Sequence, residues 1–102
     1  MWRHARFEWD PEKAAENLRK HGVSFDHAAA SLADEWGERF QIDEYQERLG
    51  EERWKTYVLH IENRKLLLTV LWTERPGAVT RIISARGATP QERRAYEHEI
   101  FR

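Results

Sequence analysis

The sequence predicts an α+β fold, with two N-terminal helices and a C-terminal helix packed on a mainly antiparallel sheet of four to five strands, in the order β-α-α-β-β-β-β-α. Three observations predict it. Helix-start signals stand at Asp10-Pro11, at Ser24 and at Thr89-Pro90 with Glu92. Strand-like apolar runs fill Arg53–Ile61, Leu66–Trp72 and Thr80–Arg86, and turn chemistry at Glu62-Asn63-Arg64-Lys65 and at Pro76-Gly77 joins those runs into a meander.

Arg6-Phe7-Glu8-Trp9 alternates polar and apolar, a short strand that stops at Asp10-Pro11. Asp10 can cap a helix, Pro11 suits its first turn, Ala14, Leu18 and His21 recur on one face, and Gly22 can close it. Ser24 caps a second helix whose stripe is Phe25, Ala28, Ala29 and Leu32, with Val23 able to staple onto Ala28. Between Gly37 and Gly50 the periodicity weakens, and Phe40, Ile42 and Tyr45 suggest a short edge strand. Leu66–Trp72 is apolar on both alternating faces, so it is the central strand. Thr89 and Glu92 form a capping box for the last helix. With the helices grouped on one side, the other face of the sheet is expected to stay partly open to water.

A chain of 102 residues makes one domain, 1–102. No apolar run approaches the roughly 20 residues of a membrane helix, and the polar start is no secretory signal, so a cytoplasmic protein is expected. With no cysteine, disulfides, thiolate catalysis and cysteine-ligated zinc are excluded. The five histidines show no metal-ligand spacing, and no cofactor is expected. The net charge of −1 hides a division: residues 34–52 hold eight acids against two bases, whereas residues 53–102 hold ten bases against five acids. A basic C-terminal half suits polyanions or an acidic partner.

The arginines stand inside and at the ends of strands otherwise built for a core, which suggests a phosphate-handling surface. Metal-free RNA cleavage needs a base for the ribose 2′-OH, cations for the transition-state phosphorane and an acid for the leaving oxygen. Glu74 or a histidine could serve as base, Arg81 and Arg86 as a phosphate clamp, and Tyr96 or another arginine as donor. Arg53 and Arg93 could reach in from the preceding strand and the final helix. Plainer roles compete with each: Glu74 as a cross-strand ion pair, Arg86 as a partner of Glu92 or Glu97, Tyr96 as a core residue in stripe with Ile100, His21 as a helix-end cation, and the tryptophans Trp2, Trp9, Trp36, Trp54 and Trp72 as core. Strict alternation sets Arg81 out of phase with Ser84 and Arg86, which puts the two arginines on opposite faces.

Phe7-Glu8-Trp9-Asp10, Lys13, Asn17-Leu18-Arg19-Lys20-His21-Gly22-Val23-Ser24-Phe25, Gly50-Glu51-Glu52-Arg53-Trp54, Thr73-Glu74-Arg75, Arg81-Ile82-Ile83-Ser84-Ala85-Arg86, Ala88-Thr89, Glu92-Arg93-Arg94 and Tyr96-Glu97 occur in order. Together they resemble the BrnT toxins over nearly the whole chain. The resemblance implies a RelE/ParE-like fold, a metal-independent endoribonuclease that arrests translation, and neutralisation by a BrnA-like ribbon-helix-helix antitoxin that covers the basic sheet face and alone contacts operator DNA. It implies that the activity rests on Arg53, Glu74, Arg81, Arg86 and Tyr96; of these Arg53, Glu74, Arg81 and Tyr96 are expected to be catalytic, and Arg86, with Arg93 and Lys55 from the basic half of the chain, is expected to bind RNA phosphates. Where the family usually shows a His-Ser pair before Gly50, this chain has Glu47 and Arg48. The departure, with the acidic middle segment, leaves two other expectations standing: a weakly active or inactive subunit that partners a DNA-binding antitoxin, and, on fold analogy alone, a gyrase inhibitor.

Overall fold

The computed structural model describes residues 6–34, 41–48 and 50–101. Phe40, Trp2 and Trp36, which the sequence assigns to strand and core, lie outside them. The elements are β1 (Arg6–Glu8), α1 (Pro11–His21), α2 (Phe25–Ala33), β2 (Ile42–Arg48), β3 (Glu51–Leu59), β4 (Leu67–Arg75), β5 (Val79–Gly87) and α3 (Pro90–Phe101). Five strands form one sheet in the order β1-β5-β4-β3-β2. All pairings are antiparallel except β1 with β5, which is parallel. The expected element order and the central place of β4 are both present.

Local chemistry starts the helices where the sequence indicated. Asp10 accepts the Glu12 N–H at 2.9 Å, and Gly22 closes α1 at φ 68°, a left-handed conformation that costs a Cβ-bearing residue energy. Ser24 accepts the His27 N–H at 3.0 Å. Thr89 and Glu92 exchange reciprocal bonds at 2.9 and 3.1 Å, completing the capping box of α3.

The helices do not share one side. Helices α1 and α2 cover one face, burying Phe25, Ala28 and Leu32 against Val58, Leu68, Val70 and the fully buried Trp72. Helix α3 packs on the other face, where Tyr96 and Ile100 meet Tyr57, Leu67 and Leu59. The cause lies in β4 and β3, whose ends beside residues 59 and 67 are apolar on both sides and need cover on both. The other half of the second face, towards the turns at residues 48–51 and 75–79, has no helix over it among the described residues.

Two buried polar devices hold the sheet to its surroundings. Beyond its short pairing with β1, the edge of β5 is met by Asn17 of α1. The Asn17 amide accepts the Ala85 N–H at 3.1 Å and donates to the Ala85 carbonyl at 2.6 Å and to the Val23 carbonyl at 3.0 Å. His60, 8% exposed, ends β3; its Nδ1 accepts the N–H groups of Glu62 and Asn63 at 3.0 and 3.2 Å, and its ring meets His27 edge-on.

Burial, followed by the neighbouring His27 and Arg64, depresses the His60 pKa, while Glu62 opposes the shift. A depressed folded-state pKa favours the native state above the unfolded value, so this contribution is lost as pH falls below about 6.5. Urea midpoints should therefore fall from pH 8 to pH 5.5, and His60→Asn should flatten that dependence; an unchanged slope would assign it elsewhere.

Candidate functional site

Strand register, rather than sequence order, assembles the polar residues of the open face. On β5 one extra residue interrupts alternation: Ile82 pairs with Trp72, Ser84 with Leu71, and the register shifts between them. Such a bulge resets the phase of everything beyond it. Arg81 therefore lies opposite Thr73 and Arg86 opposite Thr69, and since Thr69 and Thr73 share a face of β4, so do the two arginines. The expected placement on opposite faces is corrected by this one residue.

The same face receives Arg53 and Lys55 from β3. Arg53 pairs with Gln46 on β2, and the β3–β4 register sets it level with Thr73. Thr73 pairs with Arg81, and Arg81 with Glu8 on β1. One cross-strand row thus reads Gln46, Arg53, Thr73, Arg81, Glu8. With strands about 4.8 Å apart, Arg53 and Arg81 start about 10 Å apart, a gap that two long guanidinium side chains can close above Thr73.

Each cation has a neighbour. Arg81 Nη1 donates to Glu8 Oε2 at 2.6 Å, both side chains being about 40% exposed. Arg53 Nη2 donates to Glu51 at 3.1 Å, while its Nε is buried with no hydrogen-bond partner among the described residues. Lys55 Nζ lies 3.5 Å from Glu92 and 3.8 Å from Glu44, beneath the Tyr57 ring; burial opposes its charge, but Tyr57, Glu92 and Glu44 outweigh that and raise its pKa.

Arg86 is committed differently. Its guanidinium grips both oxygens of Glu92 at 2.7 and 3.0 Å, and Glu92 also accepts from Thr69 Oγ1 and from the Thr89 N–H. The Arg86 hydrogen bond is the main cause, opposed by burial, that brings the Glu92 pKa down to about 2. Arg86 therefore anchors α3 to the sheet, and a phosphate would have to compete with a bidentate carboxylate for it. Beside this hub a cleft of about 390 Å³ opens between β2, β3 and the first turn of α3, lined in part by Glu44, Lys55 and Tyr57.

Three expected site residues stand apart. Glu74 is exposed and pairs with Thr80, on the helix-covered side of the sheet from Arg53 and Arg81, because it follows Thr73 by one position. The registers Glu47↔Glu52 and Trp54↔Trp72 set it in a row of glutamates with Glu52 and Glu47. Tyr96 is 6% exposed in the core with Tyr57 and Leu67, and burial pushes its phenol pKa up. Arg93 is exposed on α3, held by Glu97 and the Lys65 carbonyl.

Glu8 and Glu92 are polar centres that residue chemistry did not single out. For Glu92 the local signal existed but read as a helix cap; for Glu8 only parallel pairing with β5, a long-range event, reveals its neighbour. The described residues contain no group of three or more His, Asp or Glu able to hold a metal ion, and no helix among them is long and apolar enough to cross a membrane.

A family model described as the ribonuclease toxin BrnT of type II toxin–antitoxin systems matches residues 9–92. Among solved structures the chain is similar to the Brucella abortus ribonuclease toxin BrnT, with 20% identity over 82% of this chain and 96% of that one and a TM-score of 0.59, a likeness of fold. No curated protein sequence matches significantly.

Proposed function

Because the chain belongs to the BrnT family of ribonuclease toxins of type II toxin–antitoxin systems, we propose that it cleaves RNA, without a metal, on the open half of the sheet face opposite α1 and α2. The observation that carries the reading is the row of Arg53, Thr73 and Arg81, which sets two guanidinium groups on either side of a small hydroxyl residue, on the half of the face that no helix covers among the described residues. A phosphodiester above Thr73 would receive two donors shaped for phosphate oxygens, and charge developing on the phosphorane is what such groups stabilise. Lys55 extends the positive surface towards α3.

Membership of a toxin–antitoxin family implies an antitoxin. The reading extends this to a BrnA-like ribbon-helix-helix protein acting in the cytoplasm, whose toxin-binding segment covers the same row and which alone contacts DNA. Glu74 has no catalytic place in this reading, since it stands on the other face.

The test is cleavage of a single-stranded RNA in EDTA. Arg53→Ala with Arg81→Ala should lower the rate about 100-fold, while Glu74→Ala should cleave within about threefold of the parent. The reverse pattern would move the site across the sheet, and inhibition of the parent by EDTA would restore a metal.

A further inference from the structure

A row of arginines can hold a phosphate, but RNA cleavage by transesterification also needs a proton removed from the 2′-oxygen, and a guanidinium cannot accept one. The residue expected for that task, Glu74, is on the wrong face. On this side of the sheet strand register places Glu8, Glu44 and Glu51, and α3 brings Glu92, Glu97, which holds Arg93, and Glu99, which lies by Ile42 and Glu44 away from the row. Glu92 is enclosed by Arg86, Thr69, Thr89 and Lys55 and has a pKa of about 2. Glu44 accepts from the Tyr57 hydroxyl on the far side of Lys55, and Glu51, held by Arg53, stands outside the row at the start of β3, opposite Arg48.

Glu8 differs from the others in its place. It closes the row of Arg53, Thr73 and Arg81, it is about 40% exposed, and only its Oε2 is engaged, by Arg81. Its Oε1 has no hydrogen bond among the described residues. Among the described residues the charged groups around it are Arg81 of β5, Arg6 on its own strand and, one row further, Arg75 of β4. The segment matched by the family model begins one position after it, at residue 9.

We propose that Glu8 is the general base of the cleavage, an inference that rests on the reading of the open face given above. Oε1 takes the proton of the 2′-hydroxyl; the 2′-oxygen forms a bond to phosphorus as the bond to the 5′-oxygen breaks. The 5′-oxygen leaves with a proton from water, giving a 2′,3′-cyclic phosphate and a 5′-hydroxyl end. Arg81 fixes the carboxylate through Oε2 and at the same time faces the phosphate, so base and clamp are set by one ion pair.

The experiment uses the full chain, an RNA oligonucleotide with one cleavage site, and the same strand carrying a 2′-deoxy sugar there, which binds but cannot react. Glu8→Gln should lower the single-turnover rate about 100-fold or more, the usual worth of a positioned base, and leave the dissociation constant for the 2′-deoxy strand within about twofold. Glu8→Asp should recover part of the rate, and the acid limb of the parent pH–rate profile should vanish in Glu8→Gln. Far-UV circular dichroism confirms that each variant is folded. Two results overturn the assignment: Glu8→Gln cleaving at the parental rate, or its loss appearing equally in binding of the 2′-deoxy strand, which would make Glu8 a positioning residue for Arg81. Either result leaves the reading of the face intact if Arg53→Ala with Arg81→Ala is still inactive; full activity of that double variant is the separate failure of the face itself.

Discussion

Replacing Asn17 by leucine should destabilise the protein by about 3 kcal/mol, the largest effect expected of any substitution on α1. The side chain is similar in size and more apolar, so area burial alone predicts a neutral or favourable change. Hydrogen-bond accounting reverses that. Asn17 is 7% exposed, and its amide satisfies three backbone groups, the Ala85 N–H and the carbonyls of Ala85 and Val23. Leucine would leave all three without this partner at a position that is only 7% exposed. Asn17→Asp isolates the cause: it keeps the acceptor for the Ala85 N–H but replaces the donor by an oxygen facing two carbonyls, and should cost at least as much. Thermal denaturation should show a loss of about 15 °C for a domain of this size. A loss under about 3 °C would mean that the edge of β5 finds other partners.

The second large effect is expected at Glu92. Glu92→Ala removes the fork on Arg86, half of the capping box and the bond from Thr69. It leaves Arg86 half-buried without its carboxylate, at a cost of about 3 kcal/mol. A double-mutant cycle with Arg86→Met should recover part of that, because the orphaned charge goes with it. The pKa of about 2 sets the sign with pH. A carboxyl more acidic in the native state stabilises it above the unfolded value of about 4.3, and the contribution disappears as pH falls towards 2. Parent and Glu92→Gln should therefore differ most at neutral pH and converge near pH 2; a difference independent of pH would show that the hub acts through shape.

What could be read from the sequence was whatever is written within a few residues. Asp10 with Pro11, Ser24, and Thr89 with Glu92 start helices because capping is local chemistry, and the structure places those starts as expected. The apolar run of β4 declared its central position through its own composition. Relations between strands were less legible. The extra residue at Ile82–Ile83 has no signature in the run Thr80–Arg86, yet it decides that Arg81 and Arg86 share a face. The parallel partner of β1 is 73 residues away, so Glu8 seemed no more than the polar half of an alternating pair. The side taken by α3 depended on where Tyr57 and Leu67 needed cover, which composition shows only once their face is known. Glu74 was a candidate base by residue type and by resemblance, neither of which carries a position, and strand register sets it across the sheet from Arg53 and Arg81.

The parallel strand also sets a schedule. Glu8 is synthesised 73 positions before Arg81. The ladder between β1 and β5 cannot form on a nascent chain until β5 has been synthesised, and closing a loop over that distance is slow without the rest of the sheet. A ribosome-bound or prematurely ended chain would lack the carboxylate–guanidinium pair however many of its helices had formed. In a ribonuclease, which is made beside RNA, the pair is completed only after β5 has been made.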